Sequence, residues 1–159
     1  NKRPISMRLA LFEPDIPQNT GAILRLASCF NISVDIIGPC GFVFSNRRLQ
    51  RSGMDYIDKV DYKLHTSWDM FYEEHQKIGR ERIILLTTKG NIGHTNFEYS
   101  SNDVLLFGRE SAGVPEIVHM AADARVIIPI ASETRSLNIT SSAAIVLGEA
   151  LRQTNAYPK

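Results

Sequence analysis

Two cysteines, Cys29 and Cys40, are all the thiol in this chain of 159 residues. They are too few and too irregularly spaced for a disulfide framework or a zinc knuckle, and they read as reduced thiols in a cytoplasmic protein. No run of eighteen apolar residues occurs and no export leader is recognisable, so neither a membrane-spanning nor an exported protein is expected. A surplus of charge is also missing. The formal net charge is +1, so a polyanionic partner would have to be met by a local patch and not by the field of the whole molecule. The four histidines, His65, His75, His94 and His119, are scattered without ligand spacing or an acidic cluster, and no metal is expected. A Gly-x-Ser-x-Gly nucleophile elbow is absent. Repeats, low-complexity tracts and linkers are absent too, which predicts one domain over residues 1–159, with residues 1–6 as an extension, native or added, ahead of the first strand.

What the chain does have is alternation. Apolar, β-branched runs at 7–12, 33–37, 59–64, 83–87, 104–107 and 125–130 read as strands. Several are continuously apolar, as strands covered on both faces are. Helical spacing lies between them, at 19–30, 46–51, 67–78, 115–120 and 139–153. Asn19 or Thr20 is the expected cap of the first helix, Ser67 and Gly79 bracket the third, and Pro115 falls in the first turn of the fourth. The pattern predicts an α/β fold: a mostly parallel sheet with helices on both faces.

Two loops stand out chemically. Ile128-Pro129-Ile130 gives way to a polar turn and then to Ser136-Leu137-Asn138 at the head of the last helix. Phe107-Gly108-Arg109-Glu110 leads through Gly113 to Val114-Pro115. Two strand-to-helix loops of this kind suggest one pocket at the carboxyl ends of neighbouring strands, where open α/β sheets bind ligands. The second loop has glycines spaced like a phosphate cradle, but Val114-Pro115 stands where a nucleotide triphosphatase needs Lys and Ser or Thr. Glu110 could accept hydrogen bonds from an amine or hydroxyl, or simply open the next helix. Arg25 reads either as a solvated helix residue or as an anion contact. Arg47, Arg48 and Arg51 read either as a solvated helix face or as phosphate contacts.

Taken in order, these segments carry a resemblance. Asn19-Thr20-Gly21 with Arg25, the segment Arg47-Arg48-Leu49-Gln50-Arg51-Ser52-Gly53-Met54-Asp55-Tyr56, Leu86-Thr87-Thr88-Lys89-Gly90, the Gly108–Pro115 loop and the stretch from Ile128 to Asn138 together resemble the SPOUT-class RNA methyltransferases. The likeness is closest to the minimal tRNA (cytidine(34)-2′-O)-methyltransferase, or TrmL/YibK-like, family. It covers nearly the whole chain.

The resemblance implies a carboxyl-terminal trefoil knot, a homodimer packed through the first and last helices, and S-adenosylmethionine as cofactor. It implies 2′-O-methylation of the wobble ribose of tRNA (cytidine or modified uridine at position 34), with the anticodon stem-loop as partner. By position it assigns cofactor contacts to Leu86, Gly108, Ile128 and Ser136, and pocket lining to Thr87, Glu110, Ile130 and Leu137. Arg25, Ser136 and Asn138 match the family's catalytic set; Arg25, Arg47, Arg48 and Arg51 are the expected RNA contacts. Gly148 departs from the family pattern, since close relatives often carry tyrosine there. The competing readings are a methyltransferase for another RNA and a non-catalytic adenosine-ligand or RNA-binding module.

Overall fold

The computed structural model describes residues 6–45, 47, 60–79, 81–132 and 136–159. Its strands are β1 (Arg8–Phe12), β2 (Ser33–Ile37), β3 (Tyr62–His65), β4 (Ile83–Leu86), β5 (Ile92–Gly93), β6 (Val104–Phe107) and β7 (Ala124–Ile127). They form one sheet in the order β3-β2-β1-β6-β4-β7-β5, and every pairing in it is parallel. The helices among the described residues are α1 (Pro17–Cys29), α2 (Trp68–Ile78), α3 (Glu116–Ala121) and α4 (Ile139–Thr154).

Successive strand side chains point to opposite faces, and here both faces are covered. Leu9, Leu11, Ile84, Leu105 and Phe107 pack with Ile23 and Leu24 of α1 and Val146, Leu147 and Leu151 of α4. Their neighbours Ala10, Phe12, Ile83, Leu85, Val104 and Leu106 pack with Trp68 and Phe71 of α2 and Val118 of α3. This is why the strands read as unbroken apolar runs. Each fully buried Leu, Ile, Val or Phe stabilises by roughly 1.5–3 kcal/mol, so the sheet is held from both sides.

The structure differs from the expectations at several ends. Helix α1 begins at Pro17 with Ile16 at its cap and no capping side chain, not at Asn19 or Thr20. Proline suits that entry because its missing N–H is one the helix would leave unpaired anyway. Pro115 stands at the cap of α3 and not within its first turn. Strand β3 starts at Tyr62, and Lys59, where it was expected to start, lies outside the described residues. Strand β7 starts at Ala124 and stops at Ile127, so the expected 128–130 extension is not strand. Pro129 has no N–H for a ladder and restricts Ile128 before it. The two-residue strand β5, beside β7 at the sheet edge, was not foreseen. The expected helix at 46–51 lies, apart from Arg47, outside the described residues.

One buried polar group interrupts the apolar face under α2. Asp35 of β2 is 1% exposed and accepts from Arg8 Nε of β1 at 2.9 Å, with His65 Nε2 of β3 also 2.9 Å from its other oxygen. Removing one partner of a buried pair leaves the other charge without compensation, at a cost of about 3–5 kcal/mol, whereas replacing both by apolar residues is often neutral. Asp35→Leu is therefore expected to lose about 3–5 kcal/mol in urea unfolding. Arg8→Met/Asp35→Leu should recover most of that loss; a double variant as unstable as the single one would show that the pair is not the cause.

Candidate functional site

Strands β6, β4 and β7 lie side by side, and a cleft of about 290 Å³ opens at their carboxyl ends. Its volume is at the lower edge of the roughly 300–1,000 Å³ typical of small-molecule sites. From β4 and its extension come Leu85, Leu86, Thr87 and Thr88; from β6 and the loop beyond come Phe107, Gly108, Arg109, Glu110, Gly113 and Val114. The third wall is Ile127, Ile128, Ile130, Ser136, Leu137, Ile139 and Ser142, which run from β7 into α4. All eight residues expected at a cofactor pocket (Leu86, Thr87, Gly108, Glu110, Ile128, Ile130, Ser136 and Leu137) thus border one cavity. Ile130 and Leu137 are 43% and 42% exposed at its margin, apolar area that a ligand could cover.

Backbone shapes the middle wall. Arg109 and Gly113 exchange two main-chain hydrogen bonds of 3.0 and 2.9 Å, closing the 109–113 turn. Gly113 has φ +66°, a left-handed conformation that glycine adopts without strain. Gly108 lies so close beneath it that an added Cβ would meet the Gly113 carbonyl carbon at 2.6 Å.

The same loop is tied to the β1–α1 connection. Arg109 pairs with Glu13 and lies 5.9 Å from the centre of the Phe12 ring, Ser111 donates to Asp15, and the Asp15 amide donates to Glu110 at 3.2 Å. Burial, followed by a hydrogen bond to Asp15, pushes the Glu110 carboxyl above the ordinary range, while that hydrogen bond to Glu110 holds Asp15 below it.

At the third wall, Asn138 caps α4. Its Oδ1 accepts from the Thr140 amide at 2.8 Å and its Nδ2 donates to Asn19 Oδ1 of α1 at 3.1 Å. The expected capping asparagine of α1 is thus engaged with the cap of α4. Helix α4 has no acidic residue in its first turn, so the positive end of its dipole stands at the cleft.

Other expected residues lie elsewhere. Arg25 is exposed on α1, and neither it nor Asn138 borders the cavity. Arg47 is exposed, while Arg48 and Arg51 lie outside the described residues. Over Gly148, the position expected to depart from the family pattern, the Tyr157 hydroxyl donates to the Gly148 carbonyl at 3.2 Å, and its ring meets Phe30 edge-on. A phenol from the chain's end therefore occupies the space beside that glycine. Arg109, Phe107 and Ser142 of the lining were not singled out from the sequence. Arg109 and Phe107 belong to the quoted loop motif, so a signal existed; Ser142 gave none beyond its place in a helix.

Residues 6–148 match the SpoU rRNA Methylase family. A tRNA (cytidine(34)-2′-O)-methyltransferase of Beijerinckia indica is 51% identical over 151 residues, 95% of this chain and 94% of that protein. A solved structure described as giving insights into the 2-OH methylation of C/U34 on tRNA is similar with a TM-score of 0.85 and 34% identity, over 94% of this chain and 97% of that one. An AdoMet-bound rRNA methyltransferase from Sinorhizobium meliloti is similar with a TM-score of 0.82 and 25% identity, over 96% of this chain and 61% of that one.

The crowding at Gly108 generates a test. A methyl group forced against backbone costs about 1–3 kcal/mol, so Gly108→Ala should lower the thermal midpoint by roughly 2–12 °C and weaken binding of a ligand in the cleft. An unchanged midpoint with unchanged binding would mean the 108–113 loop yields without consequence.

Proposed function

The chain belongs to the SpoU methylase family, and on that premise we propose that it transfers a methyl group from S-adenosylmethionine to the ribose 2′-hydroxyl of the wobble nucleotide of tRNA, cytidine or modified uridine at position 34. The observation that carries this reading is the likeness of almost the whole chain to a protein of that activity, at 51% identity. The cleft suits such a cofactor. Apolar walls from Leu86, Ile128, Ile130 and Leu137 fit an aromatic base, and the polar groups of Thr87, Glu110 and Ser136 stand on the same cavity. Bound there, the sulfonium supplies an activated methyl group.

The remaining work is positioning. The ribose oxygen must approach the methyl carbon at about 3 Å in line with sulfur, an arrangement that can lower a barrier by about 7–11 kcal/mol. We assign Leu86, Gly108, Ile128 and Leu137 to holding the cofactor. Ser136, exposed beside the cleft, is assigned to the ribose. Asn138 spends both ends of its amide on the cap of α4 and on Asn19, so its role is to fix the cleft's third wall. Arg25 is assigned to the adjoining phosphate and to developing oxyanion charge, because a guanidinium stays protonated; the proton passes to phosphate or water. Arg47, with Arg48 and Arg51, is assigned to the anticodon stem-loop backbone.

The proposal extends to architecture: a single SPOUT domain with a carboxyl-terminal trefoil knot, acting as a cytoplasmic homodimer. The knot is supported by the passage of Gly90 so close to β7 that a Cβ there would meet the Val126 carbonyl carbon at 2.5 Å. The dimer is supported by α1 and α4, which pack on one face of the sheet and leave Ala22, Arg25, Ala144 and Ile145 exposed.

Incubation with methyl-labelled cofactor and total tRNA, followed by mapping of the modified nucleotide, is expected to place label on the 2′-oxygen of nucleotide 34. Label in another RNA, or tRNA binding with no methyl transfer, would overturn the assignment. Arg25→Lys loses the guanidinium fork, worth about 1.5–3 kcal/mol for hydrogen bonds to a charged group, so kcat should fall roughly ten- to hundredfold. Full activity with an unaltered pH profile would remove Arg25 from the chemistry.

A further inference from the structure

Ser142 borders the cleft but has no part in the assignments above. It lies near the start of α4, three residues after Ile139, so the two share a face of the helix, and both border the cavity. A serine inside a helix ordinarily turns its hydroxyl to solvent or back to the carbonyl four residues earlier. Thr154 of the same helix takes the second course, donating to the Ala150 carbonyl at 2.8 Å. Ser142, 8% exposed, is too buried for the first course and does not take the second. Its amide donates to the Asn138 carbonyl at 3.0 Å, while its hydroxyl has no hydrogen-bond partner among the described residues. Asp15 Oδ1, Thr20 Oγ1 and His94 Nδ1 also lack partners, but those atoms are sealed within protein. The Ser142 oxygen is not sealed, and it opens to the cavity.

The surroundings of that hydroxyl are apolar. Phe107, Leu86, Ile128 and Ile139 border the cavity and also belong to the apolar cluster beneath α1 and α4. Arg109 and Glu110 stand on the 108–113 loop instead, engaged with Glu13 and the Asp15 amide. Ile130 and Leu137 mark the open margin of the cleft, and Phe107, 1% exposed, marks its enclosed end. A hydroxyl stripped of water in such a place carries a desolvation penalty unless the ligand returns a hydrogen bond. Apolar walls strengthen the bond that is returned.

We infer that Ser142 is a specificity-determining residue: its hydroxyl hydrogen-bonds the nitrogen-bearing edge of the methyl donor's adenine at the enclosed end of the cleft. The inference rests on the reading of the cleft as the methyl-donor site. Of the donor's parts, the base matches that end. Its flat faces suit Phe107, Leu86 and Ile128, and its edge carries ring nitrogens that accept and an amine that donates. A hydroxyl can meet either, because it both donates and accepts. The amino-acid tail carries an ammonium and a carboxylate, and each would need several partners where one hydroxyl is present. The ribose has hydroxyls to satisfy and no flat apolar face.

The test is calorimetric titration of the full chain with S-adenosylhomocysteine, the unreactive product of methyl transfer, using wild type, Ser142→Ala and Ser142→Cys. Alanine is the better helix former, so Ser142→Ala should fold, which its thermal midpoint without ligand checks. Kd should rise roughly tenfold in Ser142→Ala. Ser142→Cys fills the space with a weak donor and should bind as poorly; wild-type affinity there would make the effect one of volume and overturn the inference. Each protein is then titrated with analogues whose base lacks one ring nitrogen or carries a keto oxygen in place of the amine. For the analogue altered at the atom that Ser142 meets, wild type and Ser142→Ala should bind alike. An equal penalty for every base analogue, or a penalty that disappears only when a ribose hydroxyl is removed, would also overturn it. Failure of wild type to bind S-adenosylhomocysteine defeats the methyl-donor reading itself, whereas wild-type binding with no penalty in Ser142→Ala defeats the role of Ser142 alone.

Discussion

Parallel pairing of β6, β4 and β7 is the constraint from which the site follows. Because all three strands run the same way, their carboxyl ends meet at one edge, and Gly108, Thr87 and Ile128 leave the sheet as neighbours although they are far apart in sequence. Parallel strands must be joined by crossovers, and the crossovers here place helices on both faces. The sheet is therefore closed above and below, and its carboxyl edge is where chain can depart from regular geometry. The cleft lies at that edge.

Three devices turn the edge into a defined shape. The two-hydrogen-bond turn between Arg109 and Gly113 folds the middle loop flat over Gly108, so backbone and not side chain forms that wall. Pro129 ends β7 and releases Ile130 toward the opening. Asn138 fixes the start of α4 and bonds across to Asn19, so the last helix and the first are tied at their amino ends. The links of Glu13 and Asp15 to Arg109, Glu110 and Ser111 complete the ring.

Much of this was legible in the sequence, for identifiable reasons. The apolar runs at 33–37 and 104–107 match β2 and β6 end to end, because strands buried on both faces leave no alternation to misread. Ser67 announced α2, and its hydroxyl does accept from the Met70 amide. The ordered loop motifs brought eight pocket residues to one cavity. What escaped was of two kinds. Local ends were set by proline chemistry at Pro17, Pro115 and Pro129 where polar caps and β-branched runs suggested otherwise. Long-range pairings left no trace in spacing: Asp15 and Glu110 meet across 95 residues of chain, and nothing in either segment marks the other. A motif also fixes a residue's place but not its direction, which is why Arg25 was expected beside the cleft and is found exposed on α1 outside its lining.

The contents of the cleft constrain how the reaction proceeds. Among the described residues bordering it there is no histidine or lysine. Glu110 on its wall is pushed above the ordinary carboxyl range by burial and by Asp15, and Arg109 is engaged with Glu13. A paired arginine does not serve as a base there. On the proposed reading, these walls supply orientation, exclusion of water and the dipole of α4, and the ribose proton passes to the RNA or solvent. For a displacement at an already activated methyl this is chemically sufficient. The leaving group departs as a neutral sulfur, so no acid is needed, and orientation acts on the slow step directly. A site with such demands is best built from backbone and apolar side chains held rigidly, which is what the convergence of β4, β6 and β7 provides.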